Sequence, residues 1–314
     1  MTSTSTSESE QEQIRLQKLS SDMLKILKNG SSNDVKIILG DGELMANKDV
    51  LAARCDYFAA TFRWNDNNKD ESGNMDIRIN DCNKKVMEHV VEFLFTGVLK
   101  FKDLDLHSLM SLIDQIRKLV LGADLEKSVE EFLINDILSL HEPSSREDPA
   151  LFGVKEQDLI ASYLKAYTLN LDKIQYELSW RIALFLNCSE NILEAVRQMI
   201  VDLPTTLLKD ILSCCHYFNR GDNPVPEFST LNPRKVNARI FQFLASWYKK
   251  NKDGCSEADK DEMMQFIQLD KFLMSDLIKI VKPSGLFPDE KVDEMMLAHA
   301  EVVDKFFLAL DGEK

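Results

Sequence analysis

In the stretch Asn33-Asp34-Val35-Lys36-Ile37-Ile38-Leu39-Gly40-Asp41-Gly42-Glu43-Leu44-Met45-Ala46-Asn47-Lys48-Asp49-Val50-Leu51-Ala52-Ala53-Arg54-Cys55-Asp56-Tyr57-Phe58, three elements follow one another with almost no spacer. Val35 to Leu39 is short, apolar and rich in β-branched residues, the signature of a strand. Gly40-Asp41-Gly42 supplies a tight turn, so Glu43 to Asn47 is expected to return as the paired strand of a hairpin. Helical spacing then runs from Lys48 through Phe62.

Upstream, Ile14, Leu16, Leu19, Met23, Ile26 and Leu27 recur at helical spacing, and the pattern stops at Asn29-Gly30. Residues 14–30 are therefore expected as one amphipathic helix. Residues 1–13 are rich in Ser, Thr, Glu and Gln and read as a disordered tail. They have neither a basic start nor an apolar stretch, so they do not resemble a signal peptide. Downstream, residues 65–74 are polar and read as a loop, and Met75 to Ile79 alternates like a third strand. A helix follows from Val86 to Phe95, ended by Gly97. Val98 to Phe101 reads as a brief extended piece, and Leu104 to Ile134 as two helices broken near Gly122.

Ser139 to Ala150 holds two prolines, several charges and no periodicity, so residues 139–150 are the expected linker between two domains. Beyond it every apolar stripe has helical spacing. Examples are Leu159, Ile160 and Tyr163; Ile174, Leu178 and Ile182; and Leu273, Leu277 and Val281. The expected fold class is thus α+β, with a mixed helix-and-strand domain followed by an all-α one.

The chain has 314 residues, 44% of them hydrophobic, and 38 Lys plus Arg against 52 Asp plus Glu, a net charge of −14. Length alone suggests about two domains. The acidic balance disfavours the phosphate backbone of nucleic acid and the surface of anionic lipid. No apolar run approaches the roughly 18 residues of a membrane span. The six scattered cysteines read as free, small core residues of a reducing compartment. The expected location is the cytoplasm, with the nucleus left open.

Catalytic motifs are absent from the sequence. It has no Gly-rich loop closing on Lys-Ser/Thr, no histidines four apart around a glutamate, and no Cys-x-x-Cys. Cys214-Cys215-His216 is the densest set of metal-binding residue types, but adjacent cysteines cannot easily turn to one ion, and no second pair completes four ligands. Core packing is the expected role. No catalytic residue, cofactor or metal site is expected, and the chain does not read as an enzyme.

The Asn33–Phe58 stretch resembles the opening of a BTB (POZ) domain, with an Asp-Val strand, a glycine turn, a return strand and then K-x-V-L-A-A-R-x-x-Y-F. Val90-Val91-Glu92-Phe93-Leu94-Phe95-Thr96-Gly97-Val98-Leu99 is similar to the family's later segment ending in Thr-Gly. The resemblance covers roughly residues 31–138. Residues 151–310 resemble a BACK domain, the helical companion of many BTB domains, most closely over Leu273 to Glu290. Together the two modules leave little of the 314 residues for a separate substrate domain, and no kelch repeats are expected.

The resemblance implies a protein-interaction adaptor that forms a homodimer through its N-terminal helix and first strand. The dimer contacts it implies are Ile14, Leu16, Leu19, Met23, Leu27, Val35 and Ile37. The bland alternative folds that helix back on its own subunit. The family's central polar cluster would lie at Asp34 and Asn47, where Asn47 replaces the usual histidine and cannot carry charge. Many relatives are substrate adaptors of cullin-3 ubiquitin ligases, inserting a hydrophobic residue two positions before a glutamate. Glu71 fits that glutamate, but Lys69 occupies the hydrophobic position, and a lysine fills an apolar cleft only at the expense of desolvating its charge. Phe62 or Trp64 would have to substitute. The expected partners are a second copy of the chain, cullin-3 and an unidentified protein target. The last is expected to bind the helical domain, its Asn219 to Pro233 loop or the N-terminal tail. The alternative is a dimeric scaffold with no ubiquitin-ligase role.

Overall fold

The computed structural model describes residues 5–64, 75–138, 156–188, 194–219 and 233–311. The chain divides into two compact units, residues 1–139 and 140–314. The expected linker, 139–150, lies outside the described residues, as does the expected 65–74 loop.

In the first unit, α1 (Ser5–Asn29) leads into the hairpin β1 (Val35–Leu39) and β2 (Gly42–Ala46), then α2 (Lys48–Arg54) and α3 (Asp56–Trp64). β3 (Met75–Arg78), α4 (Lys84–Thr96), α5 (Leu106–Lys118) and α6 (Ala123–Phe132) complete it, the last running into a wider helical turn at Leu133–Ile137. The sheet order is β2-β1-β3. β1 runs antiparallel to β2, with Val35 opposite Ala46, and parallel to β3, with Ile37 opposite Ile77. Its two edges are thus both taken, and Val35, Ile37 and Leu39 alternate into the core. Nearly every residue of α5 is buried, so this helix forms the centre on which α4 and α6 pack.

Three local expectations differ from the structure. α1 begins at Ser5, so most of the expected tail is helical. Residues before Ile14 carry no apolar marker of periodicity, but Glu8, Glu10 and Glu12 are good helix formers and suit the positive end of a helix dipole. The expected single helix from Lys48 to Phe62 is two helices. Cys55 is extended between them (φ −149°, ψ 116°), and its thiol lies 3.4 Å from the Leu119 carbonyl oxygen that accepts from it. Leu273 is exposed, whereas Leu277 and Val281 are fully buried.

The second unit is all-helical: α7 (Glu156–Thr168), α8 (Asp172–Cys188), α9 (Glu194–Val201), α10 (Thr205–Asn219), α11 (Pro233–Asn251) and α12 (Glu257–Met264). Short helical turns span Met274–Ser284, and α13 (Asp289–Asp311) follows. Trp247 on α11 is buried and donates its indole N–H to the Leu203 carbonyl at 2.8 Å. Buried aromatic contacts join Phe241 to Phe272 and Phe287. No described helix is long and apolar enough to cross a membrane.

Candidate interaction surfaces

The junction of β1, β2 and α2 is built from Asp34 and Asn47. The Asp34 carboxylate accepts the Lys48 backbone N–H at 2.7 Å, while its own backbone bonds to Ala46 and Met75. Asn47 caps α2, its carbonyl oxygen accepting from the Val50 N–H at 3.0 Å, and its amide donates to the Ser32 carbonyl at 2.6 Å. The two side chains thus close one corner of the sheet. A neighbouring amide, that of Asn33, donates to both the Leu27 and the Met45 carbonyls, each at 3.2 Å, and ties the end of α1 to the edge strand β2.

α1 packs along α4, with Lys28 3.8 Å from Glu92. Beside it lies an apolar groove of about 610 Å³, lined by Leu16, Leu19 and Met23 of α1, Val50 and Arg54 of α2, and Leu94, Phe95, Gly97 and Val98 around the end of α4. Ile14, Leu16 and Leu19 are each about 60% exposed, and Ile26 is exposed as well. Met23 and Leu27 are half-buried. Val35 and Ile37 do not join this surface. Both have no exposed area, because the central strand turns them into its own core. As fully buried residues they are core positions, not dimer contacts of this chain. Val50, Phe95 and Val98, which the sequence does not mark as contacts, also line the groove. Val50 and Phe95 are apolar helix residues and Val98 follows the end of α4, but only the folded arrangement brings them to α1.

At the far end of α3, Phe62 is buried and Trp64 is 87% exposed. Phe62 stacks on Phe58 with ring centroids 6.1 Å apart, and Lys48 Nζ lies 5.5 Å from its ring centre. Phe62 is therefore a core residue and is unavailable as a partner contact. Lys69 and Glu71 lie outside the described residues.

In the helical unit, Cys214 and Cys215 point into the core. Cys214 Sγ lies 3.4 Å from Ser179 Oγ, and burial pushes the Cys215 thiol far up from its usual range. His216 lies with Nδ1 3.2 Å from the Phe266 carbonyl and its ring edge-on to the Phe266 ring. Among the described residues no group of three or more His, Cys, Asp or Glu is placed to hold a metal ion. Lys209 of α10 bridges Asp259 and Glu262 of α12 at 2.6 and 2.5 Å. Its ammonium, together with the Ser256 hydroxyl that donates to the same carboxylate at 2.6 Å, lowers the Asp259 carboxyl to about 2.

Residues 23–136 match the family profile described as the BTB/POZ domain. These residues form a BTB/POZ domain. A stretch of 83 residues is 35% identical to the mouse Rho-related BTB domain-containing protein 1, covering 26% of this chain and 11% of that protein. Among solved structures, the BTB domain of zebrafish PATZ1 is 20% identical, with a TM-score of 0.29, covering 41% of this chain and 95% of that one. The BTB domain of human gigaxonin is also 20% identical, with a TM-score of 0.28, over 38% of this chain and 86% of that one. BTB domains generally mediate self-association and contacts with other proteins, and are generally scaffolds rather than enzymes. The BTB unit carries the apolar α1 groove, the Asp34–Asn47 corner and the exposed Trp64.

Proposed function

We propose that the protein is an adaptor that pairs with a second copy of itself through the α1 face of its BTB domain and uses Trp64 to engage cullin-3. The exposed apolar face of α1, set beside the groove at the end of α4, carries the self-association. Three large aliphatic side chains kept in water are costly for a monomer, and their burial against a second copy would recover about 25 cal/mol per Å². Ile14, Leu16, Leu19, Met23 and Leu27 are the contacts. Sedimentation velocity of the intact chain tests this. The expected result is a species of twice the chain mass that reverts to one chain in Leu16→Glu/Leu19→Glu, and a single-chain mass for the parent protein at concentrations of order 1 μM would refute it.

Trp64 supports the cullin-3 contact because it is a large exposed aromatic at the end of α3, the residue type that dominates protein interfaces. In this reading the helical unit is the BACK-like companion of the BTB domain and holds the target. Binding of purified cullin-3 by the intact chain, lost in Trp64→Ala, is the expected outcome. No binding at about 50 μM cullin-3 would favour the dimeric scaffold without a ubiquitin-ligase role.

A further inference from the structure

A cleft of about 330 Å³ opens between α8 and α10 in the helical unit, at the small end of the range for ligand sites. One wall presents Asp172, Gln175, Tyr176 and Ser179, spaced three and four apart on one face of α8; the other presents Asp210 and Ser213 of α10, with the buried Cys214 behind them. The Asp210 carboxylate is held by neutral donors. Gln175 Nε2 donates to it at 3.1 Å, and the fully buried Tyr163 hydroxyl, which donates to the Leu207 carbonyl, lies 3.4 Å from the same oxygen. Burial and the Asp210 charge push the Tyr163 phenol up, so it stays a proton donor. Among the described residues neither Asp172 nor Asp210 has a cation within ion-pair distance. The adjacent lysine, Lys209, is turned the other way, onto Asp259 and Glu262.

The cleft therefore holds negative charge that no described residue neutralises. At its rim stands Tyr176, 58% exposed, its ring fixed edge-on against Trp180 at 6.0 Å. An aromatic face beside a fixed carboxylate suits a flat, weakly hydrated cation that can stack and donate two parallel hydrogen bonds at once. We propose that this cleft captures an arginine side chain of a basic peptide segment, and so makes the helical unit a recognition module independent of how the BTB domain associates. The net charge of −14 would draw such a segment in from a distance.

Fluorescence anisotropy with the intact chain and a labelled alternating glycine–arginine octapeptide tests this. The citrulline version of the peptide keeps the shape and removes the charge, and is expected to bind about tenfold more weakly. Asp210→Asn, which preserves the cleft outline, and Tyr176→Ala, at an exposed position, are each expected to weaken the arginine peptide about fivefold. Asp253→Asn, an exposed acid outside the cleft, is expected to leave binding unchanged. Equal losses in Asp210→Asn and Asp253→Asn would assign the attraction to the diffuse acidic field and overturn the proposal. Absence of binding by the arginine peptide would overturn it as well. Circular dichroism of each variant shows whether the helices are retained.

Discussion

Phe62 and Trp64 stand two residues apart on α3 with opposite fates: 3% of Phe62 is exposed and 87% of Trp64. Two residues along an α-helix turn a side chain by about 200°, so a core-facing residue places its second neighbour towards solvent. The division of labour is testable. Phe62→Ala is expected to cost about 3–5 kcal/mol, through lost burial and the cavity left behind. Trp64→Ala is expected to change stability by about 0.5 kcal/mol or less. Urea denaturation of both variants, followed by circular dichroism, checks the contrast.

Asn47 serves two elements with one side chain, capping α2 and holding the Ser32 carbonyl. Replacing it with alanine removes both bonds at once. The expected loss is about 1–2 kcal/mol, the upper part of the range for a helix cap. A shift of the urea midpoint with an unchanged slope would confirm that the effect is on stability alone.

Gly97 ends α4 at φ +73°, where its N–H bonds to the Phe93 carbonyl at 2.7 Å. An added Cβ would stand 3.2 Å from an Arg54 guanidinium nitrogen, besides adopting a left-handed backbone that L side chains resist. Gly97→Ala is expected to destabilise the BTB domain by about 1 kcal/mol. A thermal midpoint equal to that of the parent chain would contradict the strain argument.

The Lys209–Asp259–Glu262 bridge is expected to add an acid-dependent contribution to the stability of the helical unit. The Asp259 carboxyl is lowered from 3.8 to about 2, so the folded state prefers it ionised. That stabilisation is present above pH 3.8 and is lost as pH falls through about 2. Lys209 is shifted up from 10.5 by the same contacts, so its share persists below pH 10.5 and fades as pH rises above it. Asp259→Asn is therefore expected to flatten the decline in thermal midpoint between pH 4 and 2, measured with the parent chain alongside.

Local signals carried much of the fold. The β1–β2 hairpin follows from Gly40-Asp41-Gly42, and the end of α4 from Gly97, because turn chemistry acts over a few residues. Long-range pairing was less legible. Val35 and Ile37 face the core, and β3, some forty residues later, takes the second edge of β1, so neither their side chains nor a free backbone edge is left for a second copy. Nothing near β1 announces that. Leu273 shows another limit. It matches Leu277 and Val281 in spacing, yet it sits in extended backbone just before the helical turns, and the turn at Leu277–Val281 is wound wider than an α-helix. Spacing rules presume one uninterrupted helix. The α8–α10 cleft was invisible for a related reason: its walls are 35 residues apart in sequence, and Asp210 is an ordinary exposed acid until Gln175 is brought to it.

Asn33 gives the BTB domain a mechanical property. Because one amide grips both the last turn of α1 and the edge of the sheet, the helix is braced past Gly30, where the chain would otherwise pivot. A pull on α1 is delivered to β2, and through β2 to the corner that seats α2. A partner docked on the N-terminal helix is therefore coupled to the sheet edge through these two hydrogen bonds, each worth about 1 kcal/mol.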